Sequence, residues 1–146
     1  MDKSEMLASY EKHNKADFYK IGFAYNGIVY AVTVYAIPSE IVKTDKASRK
    51  NGGYMTLRIR LTKKQKVAMI PHAETICTVS EFEKLHKNKG NAFEMAVARQ
   101  QGKTARHNGT PFWIDGDIRI NGKAVQLKYE RATICNAHTL ERLGTV

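Results

Sequence analysis

The sequence predicts an α+β domain (mixed α/β): a mainly antiparallel sheet with two β-hairpins, flanked by helices. Three observations carry that expectation. Asn-Gly stands at 26–27 and again at 121–122, each time between segments rich in β-branched and aromatic residues, the strongest short-range signal for a tight hairpin. YMTLRIRL, 54–61, alternates apolar and polar side chains with period two. Ala92 to Gln101 places Phe93, Ala96 and Val97 at helical spacing and meets Gly102 at its end. The 146 residues read as one domain, 1–146, with a β-rich part over 18–61.

In chain order, residues 3–13 read as a short helix with Met6, Leu7 and Tyr10 on one side. FYKIGFAY and IVYAVTVYAI then form a hairpin around Asn26-Gly27. The second of these strands is apolar on both faces, as a central strand is, and Pro38 ends it. Residues 39–53 read as a polar basic loop carrying Lys43, Lys46, Arg49 and Lys50. In the strand 54–61, Met55, Leu57, Ile59 and Leu61 face inward, and Tyr54, Thr56, Arg58 and Arg60 face outward. Thr62 to Gln65 and Ser80 to Glu83 have capping-box spacing, each before a short helical segment, the second ending near His86. The helix over 92–101 follows, then the second hairpin, Phe112–Ile120 with Lys123–Tyr129. A last helix is expected near Ala137–Leu143, closed by Gly144.

Charge narrows the function classes. Lys and Arg total 24 against 14 Asp and Glu, a formal net charge of +10. Such a balance favours a nucleic-acid backbone or an acidic partner, although it also serves as a solubilising surface. No basic amphipathic helix with a broad apolar face stands out, and no apolar run is long enough to span a bilayer, so a membrane ranks last. The N-terminus lacks the apolar centre of a secretory signal. Cys77 and Cys135 are far apart and in no metal-like spacing. An intracellular, cytoplasmic, soluble and reduced protein is expected. No His/Cys pair has zinc-ligand spacing, and no Ser-His-Asp order, Walker loop or dinucleotide fingerprint is present.

The second hairpin carries the sharpest chemistry. A two-residue turn at Asn121-Gly122 sets the register. Ile120 is then opposite Lys123, Ile118 opposite Val125, Asp117 opposite Gln126 and Asp115 opposite Lys128. Alternation puts Ile114, Ile118, Ile120, Val125, Leu127 and Tyr129 on one face. Asp115, Asp117, Gln126 and Lys128 share the other. Carboxylate and amide oxygens so grouped suit Mg²⁺ or Mn²⁺, with Asp117, Gln126 and Asp115 as ligands. Lys128 beside them is placed to stabilise phosphate charge. The same four residues also suit a solvent-facing hairpin surface with cross-strand pairing, and both readings stand.

Asp117 followed by Gln126-Leu-Lys128 resembles the PD-(D/E)xK nuclease signature in its Gln-x-Lys variant. Lys89-Gly90-Asn-Ala-Phe-Glu94 resembles the helix start of Holliday-junction resolvases within that restriction-endonuclease-like superfamily. The resemblance covers a nuclease-like helix and hairpin over 88–130. It implies a restriction-endonuclease-like core in the C-terminal half, a divalent cation and DNA as substrate. Asp117, Gln126, Lys128 and the helix acid Glu94 would be the catalytic set. The pattern departs in three places: Asp115-Gly116 precedes Asp117 where the family has Pro, Gln126 is neutral, and the chain ends soon after the hairpin. Asn91 to Glu94 also has capping-box spacing, which gives Glu94 a structural alternative.

Two functions follow. One is a Mg²⁺-dependent nuclease acting on DNA, branched or nicked forms included. The other is a non-catalytic basic binder on the same fold: a nucleic-acid-binding module, or a mobile-element inhibitor of a host nucleoprotein defence complex (anti-CRISPR or anti-restriction). DNA is favoured over RNA. Lys43, Lys46, Arg49, Lys50, Arg58 and Arg60 are the expected phosphate contacts. A two-fold symmetric substrate would favour a homodimer, although no dimer surface is legible in the sequence.

Overall fold

The computed structural model describes residues 16–44, 47–49, 55–102, 106–107, 118–134 and 137–143. The expected N-terminal helix over 3–13 and the first part of the second hairpin, 112–117, lie outside them.

Both Asn-Gly turns form hairpins. Asn26 and Gly27 have φ of 50° and 81°, and Asn121 and Gly122 have 51° and 78°, the two consecutive positive values that a type I′ turn demands. The first turn joins β1 (Phe18–Tyr25) to β2 (Ile28–Thr33). The second joins β7 (Ile118–Ile120) to β8 (Lys123–Tyr129). The register is the expected one: Ile118 opposite Val125 and Ile120 opposite Lys123.

These hairpins lie in one six-stranded sheet, ordered β5-β2-β1-β8-β7-β6, where β5 is Glu74–Thr78 and β6 is Arg106–His107. Its pairings are antiparallel except β1 with β8, which run parallel and join the two hairpins at the centre of the sheet. A smaller sheet has the order β3-β4-β9, made of Ala47–Arg49, Met55–Arg60 and Arg131–Ile134.

The centre of the large sheet is buried on both faces. On one side, helix α4 (Lys89–Gln101) inserts Ala92, Phe93, Ala96 and Val97 among Val29, Ala31, Ile118, Val125 and Leu127, with Phe82 from α3 (Val79–Glu83) beside them. On the other side, Tyr19, Ile21 and Phe23 of β1 pack with Leu57 and Ile59 of β4 and Ala132 and Ile134 of β9. Leu140 of α5 (Ala137–Arg142) and Met69 of α2 (Lys63–Met69) complete that core.

Several expectations are corrected. β2 ends at Thr33, and Val34–Ala36 form a 3₁₀ turn. An unbroken apolar run does not separate strand from buried turn, and the turn lets Val34 and Ile37 both enter the core. The basic loop contains helix α1 (Ser39–Thr44), whose Ile41 and Val42 are buried, and strand β3. The box at Thr62–Gln65 forms as expected, but the next uses Thr78 and Glu81 in place of Ser80 and Glu83. Thr78 ends β5 with extended backbone, as an N-cap must. Helix α4 starts earlier than its apolar pattern, because Asn88 accepts from the Asn91 N–H at 3.0 Å. The Asn91–Glu94 capping box is thereby replaced. Thr56, expected outward, is buried.

Candidate nucleic-acid interface

Alternation along β4 turns Leu57 and Ile59 into the core and leaves Arg58 and Arg60 exposed. β9 pairs with β4 so that Arg58 is opposite Thr133 and Arg60 is opposite Arg131. Arg131 is also exposed. Two guanidinium groups directly opposite on neighbouring strands repel, which costs stability unless an anion lies between them.

Lys128 joins this group from the other sheet. Arg58, Arg60, Lys128, Arg131 and Thr133 line one cavity of about 450 Å³. Among its described lining residues there is no carboxylate. An adjoining cavity of about 530 Å³ is lined by Lys89, Gly90, Lys128, Tyr129, Glu130 and Arg131.

Glu130 is the corner that makes this possible. It links β8 in one sheet to β9 in the other and has φ +66°, a conformation that non-glycine side chains adopt at a cost. Three contacts hold it. Its N–H donates to Gly22 O at 2.6 Å, its carbonyl accepts from the Leu61 N–H at 3.1 Å, and its carboxylate pairs with Lys66. Lys66 also donates to Ala24 O at 3.3 Å, tying α2 to β1. With its carboxylate engaged by Lys66, Glu130 carries Lys128 and Arg131 on either side of a sharp turn.

The sequence-derived residues are distributed unevenly. Arg58, Arg60 and Lys128 come together. Gln126 is half-buried and shares the face of Lys128, since Tyr19 and Ile21 of β1 are their respective parallel-strand partners. Tyr19 and Ile21 on that face belong to the second core, while Gln126 and Lys128 are half-buried at its margin. Glu94 belongs to α4, which packs on the opposite face of the sheet, and it lines neither cavity. Lys43 lies in α1 and Arg49 in β3; Lys46, Lys50, Asp115 and Asp117 lie outside the described residues. Among the described residues no group of His, Cys, Asp or Glu is assembled to hold a metal ion, so a Mg²⁺ site would depend on Asp115 and Asp117 beside Gln126. Arg131 is not marked by any sequence motif, and Lys89 enters the sequence reading only as the first residue of the resolvase-like helix start. The signal for Arg131 was its place two residues after the Tyr129 that closes the hairpin strand.

The Tyr129 ring stacks on Phe82 at 5.0 Å and lies 5.8 Å from Phe93. Burial, then the charges of Glu130 and Cys77, push its phenol up to about 12. The folded protein therefore holds this proton more tightly than the unfolded chain, whose tyrosines ionise near ~10. Stability should be intact below about pH 10 and fall as pH rises from there toward 12. Alkaline denaturation followed beside tyrosinate absorbance checks this, and Tyr129→Phe should flatten the decline. The Cys77 thiol is pushed up by burial and by Glu81, the reverse of what activates a nucleophilic cysteine.

No helix among the described residues is long and apolar enough to cross a membrane. Compared with known proteins, the chain matches no family model, no curated protein and no solved structure.

Proposed function

We propose that the protein binds nucleic acid through its phosphate backbone, with Arg58, Arg60, Lys128 and Arg131 as the central contacts. The supporting observation is the opposed Arg60–Arg131 pair inside a cavity that also takes Arg58 and Lys128. Guanidinium groups give forked hydrogen bonds to phosphate oxygens, and Lys adds a compact charge. The same four groups serve a binder that engages free nucleic acid or the nucleic acid of a nucleoprotein complex.

Fluorescence anisotropy with labelled DNA and RNA across a salt series tests this. Log affinity should fall linearly with log salt, with a slope of roughly −0.7 to −0.9 per phosphate contact. Arg60→Glu with Arg131→Glu should weaken binding at least about a hundredfold near physiological salt and flatten the slope, with the thermal transition retained. Absence of binding even at low salt sinks the proposal and moves an acidic protein partner into its place.

Hydrolysis is the second reading, and the position of Lys128 favours it. The lysine that the Gln-x-Lys pattern marks as catalytic lines the cation cavity where a phosphate would sit. On that reading Lys128 stabilises charge on the phosphate under attack. A divalent cation held by Asp115, Asp117 and Gln126 supplies Lewis acidity when bound.

A further inference from the structure

We propose that the protein takes up one strand of nucleic acid rather than a duplex, its backbone running from Arg58 and Arg60, past Lys128 and Arg131, to Lys89. This rests on the phosphate-binding proposal above and adds the form of the nucleic acid and its path. The observation is the continuity of the two cavities. Lys128 and Arg131 line both, so the cations form one track and not two separate patches.

The track changes layer along its length. It begins on the outward face of the small sheet, crosses the Glu130 corner at the end of β8, and reaches the start of α4. The next cavity, of about 220 Å³, shares Lys89 and Glu130 with the second and adds Glu83 beside His86 and Lys87. Glu130 is paired with Lys66, so Glu83 is the added carboxylate that weakens the attraction for phosphate there. The favourable path is therefore short and bent. A duplex is stiff on this scale and carries its phosphates on the outside of a straight cylinder; it can touch the outer arginines but cannot follow cations around a corner. A single strand turns freely and is bound elsewhere in just this way, by a basic groove that tracks the backbone. Tyr129 gives the second cavity an aromatic edge, braced by Phe82.

The test compares a single strand of about 12 nucleotides, its duplex, and shorter oligomers down to a mononucleotide, all at one low salt concentration. The single strand should bind roughly tenfold or more tighter than the duplex. Affinity should rise with length and level off at about four to six nucleotides. Lys89 is exposed at the first turn of α4, so Lys89→Glu should leave folding intact. It should lower single-strand affinity by roughly three- to tenfold and remove about one contact from the salt slope. Arg60→Glu should lower single-strand affinity as well. A duplex that binds as tightly as the single strand overturns the proposal, as does a Lys89→Glu protein with unaltered single-strand affinity; the phosphate-binding proposal survives either result. Failure of every oligomer to bind removes both.

Discussion

Gly22→Ala should lower the thermal midpoint by about 6–12 °C, the equivalent of about 3 kcal/mol in a domain of this size. Gly22 is buried on β1, with Tyr129 of β8 as its parallel-strand partner. A Cβ built there would lie 2.6 Å from Phe93 Cδ1 and 2.7 Å from Phe93 Cζ, closer than carbon atoms approach. Phe93 is 1% exposed and packed with Ala92, Ala96 and the sheet. Overpacking a filled core costs about 1–3 kcal/mol, and displacing the phenyl ring would forfeit part of the about 3–5 kcal/mol a buried Phe contributes. The upper end of the first range is therefore expected. Phe93→Leu in the same chain should recover part of the loss, since the two sites share one contact. Calorimetry or circular-dichroism melting of the four proteins measures both. A neutral Gly22→Ala would mean that α4 does not seat on β1 through Phe93. The substitution also reaches the interface, because the Gly22 carbonyl holds the Glu130 corner.

Much of the fold was legible because a few residues act locally. Asn-Gly fixes a turn whatever surrounds it, and a two-residue turn fixes register, so the Ile118–Val125 and Ile120–Lys123 pairs followed from sequence alone. Phe93, Ala96 and Val97 gave the buried face of α4. Strands β5 and β9 were not legible. ETICT is short and largely exposed, and RATI buries only Ala132 and Ile134. Each is a strand because of a partner far away in the chain, which periodicity does not register. The site divides along the same line. Arg58 and Arg60 stand out through alternation and Lys128 through its motif. Arg131 reaches them only because Glu130 accepts a left-handed backbone, and a sequence signal for such a corner would have been Gly or Asn. Glu94 entered through the resemblance alone, and α4 packs on the face of the sheet opposite that of Gln126 and Lys128.

Lys128→Ala divides the two functions, and its largest effect is on cleavage. In the hydrolytic reading, purified protein with Mg²⁺ or Mn²⁺ should cut DNA, and Lys128→Ala should lower the rate by about 10²–10³-fold, the usual cost of losing one group that stabilises charge in the transition state. Asp117→Asn should do at least as much, because it removes the carboxylate charge that this reading assigns to the cation while keeping a side chain of similar size. Neither change should abolish binding. Arg58, Arg60 and Arg131 remain in the cavity, and phosphate contacts add roughly independently when charges are well separated. Removal of one of four cations should therefore cost binding only about three- to tenfold, far less than the loss in rate. Gln126→Glu sharpens the test. The added charge should strengthen cation retention and raise cleavage at low Mg²⁺ if Gln126 is a ligand. If β8 serves binding alone, the same charge sits on the face of Lys128 and should only weaken affinity. Rates on linear, nicked and branched DNA, measured beside anisotropy on the same preparations, give both quantities. Intact DNA of every form with the parent protein, together with a modest, purely electrostatic loss of binding in Lys128→Ala, assigns the cavity to binding and leaves Asp117 without a catalytic role.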